Sequence, residues 1–255
     1  MNGRREAPGD HDANYGADYQ EDAVFDIELT TPAPARVPVA RTTAALAPGA
    51  LEARAVVYRR AGRTILDGVS MTALPGRSVA VMGPSGSGKT SLLALLAGLE
   101  PPDNGEVVRD RAARLGLILQ SYGLVGVLSA AENVEAPLQA GVLGRLGRGE
   151  IRERSATMLA AVGLDDVADH LIEELSGGQQ QRVAIARALA AEPAIVFADE
   201  LTAELDHDWK NRIVTLVLDV ARRGGIVVLA THDPELAERC DHVIRLNDGQ
   251  LAAAG

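Results

Sequence analysis

Between positions 83 and 90 the chain reads Gly83-Pro84-Ser85-Gly86-Ser87-Gly88-Lys89-Thr90, a glycine-rich run closed by a cation and a hydroxyl. The spacing is G-x-x-x-x-G-K-[ST]. Glycines without a Cβ let a short loop curl until its N–H groups point inward, where they can hold phosphate oxygens. The Lys89 ammonium can reach the outer phosphates of a polyphosphate, and the Thr90 hydroxyl can ligand Mg2+. Such a loop needs a strand before it and a helix after it. Residues 78–82 are an apolar run of strand length, and residues 91–97, opening with Ser91, are rich in helix formers. A helix starting here adds its positive N-terminal end to the same phosphates. Lysine is scarce, occurring only as Lys89 and Lys210, so its presence in this frame does not follow from composition. The stretch implies a bound nucleotide.

Two more stretches end in groups suited to phosphate chemistry. Residues 194–198 form a continuous apolar run that stops at Asp199-Glu200, and residues 226–230 form another that stops at Thr231-His232-Asp233. Unbroken apolar runs suit strands buried on both faces. Open α/β sheets bind ligands beyond the carboxyl ends of their strands. Downstream of a phosphate loop, Asp199 is suited to hold Mg2+ and Glu200 to polarise an attacking water. His232 can hydrogen-bond the outermost phosphate or that water. Residues 115–119 make a shorter apolar run followed by Gln120, an amide at a strand's end.

These groups require a scaffold, and the patterning supplies one. Residues 53–58 read as a strand and residues 64–74 as further strands closed by Pro75-Gly76, an antiparallel β unit feeding the loop strand. Within it, Tyr58 is an aromatic able to stack on an adenine ring. The helix after the loop ends near Gly98, and Pro101-Pro102 enforces the stop. Short strands are expected at 105–108 and 115–119. Apolar residues at three- and four-residue spacing predict helices over 131–139, 152–162 and 164–174, a helical insert spanning about 125–178. Further helices are expected over 179–191 and 209–222, and Asn247-Asp248-Gly249 is a hairpin turn. The expected fold is α/β, a mixed sheet core holding the phosphate loop, with an N-terminal antiparallel β unit and a helical insert, over residues 49–255. Residues 1–48 are acidic and proline-rich, with little apolar content. They read as a disordered arm and stiff linker.

The most specific stretch is Leu175-Ser176-Gly177-Gly178-Gln179-Gln180-Gln181-Arg182. Small residues again open a helix, which makes a second anion-seeking terminus, but without a lysine. This pattern resembles the signature of ATP-binding cassette (ABC) proteins, and the resemblance covers about residues 51–252. It implies a head-to-tail dimer, of two copies or of two different cassettes, with two Mg-ATP molecules sandwiched between the subunits. Ser176, Gly177, Gly178 and Gln179 of one chain would meet the γ-phosphate held by Lys89 of the other. By the same resemblance, Gln120 is similar to the loop glutamine that senses Mg2+ and water, Glu200 to the catalytic glutamate and His232 to the switch histidine. Asp206 resembles the loop that signals across the dimer, and Tyr58 the adenine-stacking aromatic. Two residues depart from the pattern: Leu201, where proline is usual, and Glu204, where a small residue is commoner. Both alter the turn after the catalytic pair and bear on rate rather than chemistry. The run Glu132-Asn133-Val134-Glu135-Ala136-Pro137-Leu138 and the triple glutamine are similar to one subgroup. Its members are stand-alone cassettes that export macrolides and peptides, release lipoproteins or transmit force across a membrane.

Composition narrows the function classes. The net charge of −10 argues against nucleic acid as a partner. The single cysteine, Cys240, excludes an intrachain disulfide and a multi-cysteine zinc site. Residues 1–30 lack a signal peptide's apolar core, and no apolar run approaches the ~18 residues of a membrane span. The expected protein is a cytoplasmic ATPase at the inner face of the cell membrane, driving a separate permease in export or lipoprotein release. The alternative is a soluble or force-transmitting cassette that moves no substrate. Soluble cassettes of DNA repair or translation usually carry coiled-coil insertions, zinc cysteines or two fused cassettes, and a small-molecule kinase would not need the signature.

Overall fold

Two sheets organise residues 49–252, the part of the chain that the computed structural model describes. The arm expected over 1–48 lies outside the described residues. Strands β1 (Leu51–Arg60) and β2 (Arg63–Ala73) pair antiparallel across the turn at Ala61-Gly62. Where further strands were expected over 64–74, the chain runs as this one long strand. After β3 (Arg77–Met82) and helix α1 (Lys89–Ala97), strand β4 (Asn104–Val108) returns to the free edge of β1 and completes a three-stranded sheet in the order β2-β1-β4.

The second sheet carries the site. Its order is β5-β6-β7-β3-β8-β9, with β5 (Leu115–Ile118), β6 (Ile195–Asp199), β7 (Ile226–Thr231), β8 (His242–Asn247) and β9 (Gln250–Leu251). The strands are parallel except for β9, which folds back on β8 through the expected hairpin. Its turn residues Asp248 and Gly249 both have positive φ, the conformation a two-residue hairpin requires. Alternate residues of β6 and β7 serve opposite faces. Val196, Ala198, Val227 and Leu229 join one core, and Ile195, Phe197, Ile226, Val228 and Ala230 join the other with α1 and β1. Burial on both sides explains the unbroken apolar runs.

The helical insert holds α2 (Ala130–Gln139) and α3 (Arg148–Ala161) and leads into α4 (Gly177–Ala190), whose core is continuous with the face of the sheet. Residues 164–174, expected as a helix, instead make two short 3-10 turns, Asp165–Val167 and Ile172–Glu174. The reason is tertiary. Carbonyls of Ala168 and His170 accept from the N–H groups of Ala131 and Ala130, at 2.8 and 2.9 Å, which the start of α2 would otherwise leave unpaired. Helix α5 (His207–Arg222) covers the sheet before β7, and α6 (Pro234–Glu238) follows it.

Close approach decides one position in the β unit. Gly105 of β4 has φ +79°, and a Cβ there would stand 2.3 Å from the Ala55 carbonyl oxygen and 2.4 Å from that of Arg54. Gly62 has a similar φ of +75° but open space around it. Gly62→Ala should therefore cost about 1 kcal/mol, the left-handed penalty alone. Gly105→Ala should cost ~3 kcal/mol or more, because backbone must also move. Urea midpoints of the two variants check the difference, and equal shifts would contradict it.

Candidate functional site

Strand register builds the site. Met82 of β3 lies opposite Thr231 of β7, and Asp199 of β6 opposite Ala230 of β7. The chain therefore leaves all three strands at one edge, as Gly83, Glu200 and His232. A cavity of about 720 Å³ opens there. Its wall includes Ser85, Gly86, Gly88, Lys89, Thr90 and Ser91 from the loop and α1, Gln120 beyond β5, and Asp199, Glu200 and His232. Ile65 of β2 and Ala203 complete it.

The loop's shape comes from missing side chains. A Cβ at Gly83 would meet the Leu246 carbonyl oxygen at 2.2 Å and Ser87 Oγ at 2.6 Å. At Gly88, where φ is +103°, it would meet Leu66 at 2.8 Å. Gly83 and Pro84 do not line the cavity; their carbonyls accept from Lys89 Nζ at 2.9 and 3.0 Å. The loop thus holds its own cation. Ser87 is buried, and its Oγ has no hydrogen-bond partner.

Asp199 is 4% exposed, and Thr90 Oγ1 donates to its Oδ2 at 2.6 Å. Burial raises its pKa above the usual carboxylate value; the Thr90 bond opposes this, and the neighbouring Glu200 charge adds to it. Glu200 takes φ +52°, and His232 Nδ1 lies 3.0 and 2.9 Å from its two carboxylate oxygens. The Thr90 hydroxyl, the Gln120 amide and the Asp199 carboxylate are oxygen donors that could hold Mg2+ together with phosphate oxygens. Among the described residues no three His, Cys, Asp or Glu converge to make a metal cage unaided.

The signature stands apart, since none of Ser176, Gly177, Gly178 and Gln179 lines the cavity. Ser176 caps α4 in a reciprocal box: its Oγ accepts from Gln179 N at 3.3 Å, and Gln179 Oε1 accepts from Ser176 N at 2.9 Å. Asp206 caps α5 by accepting from Trp209 N at 2.9 Å. Tyr58 is buried in the β-unit core with the Arg60 guanidinium 5.5 Å from its ring centroid, and it does not line the cavity. Cys240 is half-buried, its thiol pushed up to about 11 chiefly by burial, which suits a packing role.

The structure shows what the two departures touch, and adds one feature the sequence analysis did not single out. Leu201, in the usual proline's place, is fully buried in the core. Glu204 packs on the signature, its Oε2 standing 2.8 Å from where a Gly177 Cβ would be. Trp209 is the chain's only tryptophan, and the guanidiniums of Arg182 and Arg212 both lie over its ring, each 4.3 Å from its centroid. Arg182 also donates to the carbonyls of Val162 and Gly163 at 2.8 and 3.1 Å, so the stack ties the insert to α4 and α5. The lone tryptophan beside Asp206 was the one signal available.

A phosphate loop at a parallel sheet edge, facing a strand-end Asp-Glu pair, defines a nucleoside-triphosphatase core, and the small-residue cap of α4 narrows the class. The family model described as ABC transporter matches residues 66–203. The chain belongs to the ABC transporter family. It is 40% identical over 204 residues to the ABC transporter ATP-binding protein YbbA of Escherichia coli K12, covering 74% of this chain and 88% of YbbA. It is 41% identical over 207 residues to the lipoprotein-releasing system ATP-binding protein LolD of Anaeromyxobacter dehalogenans, covering 75% and 86%. The macrolide export ATP-binding/permease protein MacB of Marinobacter nauticus is 38% identical over 202 residues, covering 73% of this chain but 31% of MacB. Among solved structures, the dimeric post-hydrolysis state of the cassette MJ0796 with ADP and Pi superposes with a TM-score of 0.74. That match is at 35% identity, covering 79% of this chain and 96% of the other.

The raised Asp199 value has a stability consequence. A carboxyl that holds its proton longer in the folded state stabilises below the unfolded chain's value, and that contribution is lost as pH rises through the folded value. At neutral pH the charged Asp199 therefore costs stability. Asp199→Asn should raise the melting temperature of the nucleotide-free protein at neutral pH. The gain should vanish below about pH 4. Thermal unfolding across that range checks the sign.

Proposed function

We propose that this chain is the ATP-binding and ATP-hydrolysing subunit of an ABC transporter. It works as a dimer, with a second copy or another cassette, on a separate membrane permease, in export or in lipoprotein or peptide release. The observation that carries the reading is the split geometry: Lys89, Thr90, Gln120, Asp199, Glu200 and His232 share one edge, while the signature helix start lies outside it. Two head-to-tail copies would bring each signature onto the other chain's nucleotide. The dimeric state of MJ0796 and the relatedness to LolD and MacB support this assembly. The proposed place is the cytoplasmic face of the cell membrane, held by the permease. Among the described residues no helix is long and apolar enough to cross a membrane.

The loop N–H groups and the start of α1 cradle the β- and γ-phosphates, and Lys89 leaves its carbonyl partners for them. Mg2+ bound with ATP at Thr90, Asp199 and Gln120 would neutralise charge on the transferring phosphoryl group. Glu200 polarises the attacking water, held in direction by His232. Tyr58 is assigned to the adenine, which requires its ring, buried in the β-unit core, to be uncovered as well as Arg60 to leave or share its face. Asp206 and Ser176 act across the dimer.

Lys89→Ala should weaken ATP binding about a hundredfold, the loss of a charged contact to phosphate. Glu200→Gln should keep ATP affinity, lower kcat by about 10²–10⁴-fold and accumulate a Mg-ATP-dependent dimer. Equilibrium binding, phosphate release and sizing with and without Mg-ATP check these outcomes. Turnover by Glu200→Gln at the wild-type rate would overturn the assignment.

A further inference from the structure

Glu200 holds its carboxylate in the cavity from a backbone conformation that L residues rarely adopt, with φ +52°. Strained positions persist only where their surroundings over-determine them. The preceding bond is made by the sheet, Glu200 N donating to the Ala230 carbonyl at 3.0 Å. Beyond it, Leu201 is anchored by its fully buried side chain. Between these anchors lie the carbonyls of Glu200 and Leu201, which set the peptide planes and with them the direction of the Glu200 side chain.

One side chain takes both carbonyls. Gln181, on the inner face of α4 and 2% exposed, donates from Nε2 to the Glu200 oxygen at 3.1 Å and to the Leu201 oxygen at 3.0 Å. Its Oε1 accepts from Glu204 N at 3.2 Å. The partners fix the amide's orientation, because the two carbonyls can only accept and the peptide N–H can only donate. Only an uncharged group with two donors and an acceptor satisfies all three. A carboxylate would oppose two carbonyl oxygens, and an ammonium would be a buried charge without an anion. Gln181 does not line the cavity, so whatever it does for the reaction passes through residues 200–204.

We propose that Gln181 is a positioning residue for hydrolysis: its amide holds the left-handed turn at Glu200 and so aims the carboxylate that polarises water. The inference rests on the reading of Glu200 given above. It also assigns the third glutamine of the signature run a task distinct from that of Ser176 to Gln179, which face outward at the helix start.

The test uses the full chain. Gln181→Met keeps length and volume but removes every bond. We expect kcat to fall about tenfold or more while ATP affinity and KM stay within about twofold. In a Glu200→Gln background the same substitution should lower the residual rate by less than about twofold, because the residue it serves is already disabled. Gln181→Glu is the second variant. Burial against two carbonyls raises the new carboxyl's pKa and its ionisation removes the one remaining donor, so kcat should fall with rising pH relative to wild type. Wild-type kcat in Gln181→Met overturns the proposal. So does a parallel loss of kcat, ATP affinity and melting temperature that repeats undiminished in the Glu200→Gln background. If Gln181→Met does not fold, the Gln181→Glu profile decides: an extra alkaline loss supports the role, and a profile parallel to wild type overturns it. Failure of the underlying reading looks different, since then wild type hydrolyses no ATP or Glu200→Gln turns over normally.

Discussion

The parallel register of β3, β6 and β7 is the constraint on which the rest depends. Because Met82, Asp199 and Ala230 reach the same edge, the phosphate loop, the carboxylate pair and His232 are delivered together without any long-range loop. Both faces of these strands are buried, so the edge is the surface where polar groups can meet a ligand. Burial also raises Asp199's affinity for its proton, and a cation beside it would reverse that effect. The site is thus poised to gain stability when metal and nucleotide arrive.

Helix α4 joins that edge to the rest of the molecule. Its cap presents the signature, Gln181 on its next turn holds the backbone at Glu200, and Arg182 reaches the insert and Trp209. Glu204 lies between these parts, packed on Gly177 and bonded through its N–H to Gln181. The two departures from the family pattern therefore have different consequences. Leu201 trades a proline's rigidity for a buried anchor, whereas Glu204 sets a carboxylate beside a helix start that is proposed to receive phosphate.

Much of this was legible in the sequence because the signals are local. The loop's glycines and lysine, the apolar runs ending in Asp199-Glu200 and His232, and the turn at Asp248-Gly249 each state their conformation within a few residues. What escaped depends on distant partners. The stretch 164–174 has helical spacing, but the start of α2 draws its carbonyls away. Gln181 bonds to backbone about twenty residues downstream, and backbone acceptors leave no mark in a sequence.

The central claim is that each site draws Glu200 from one chain and Ser176 from another. Mixing Glu200→Gln with Ser176→Ala, each inactive alone, tests it most directly, with mixed-dimer formation measured by differential tagging. In the mixed dimer one site carries both lesions and the other carries neither. The account predicts recovered ATP hydrolysis, up to about half the wild-type activity per mixed dimer if the sites act independently. No recovery in a preparation shown to contain mixed dimers would contradict it.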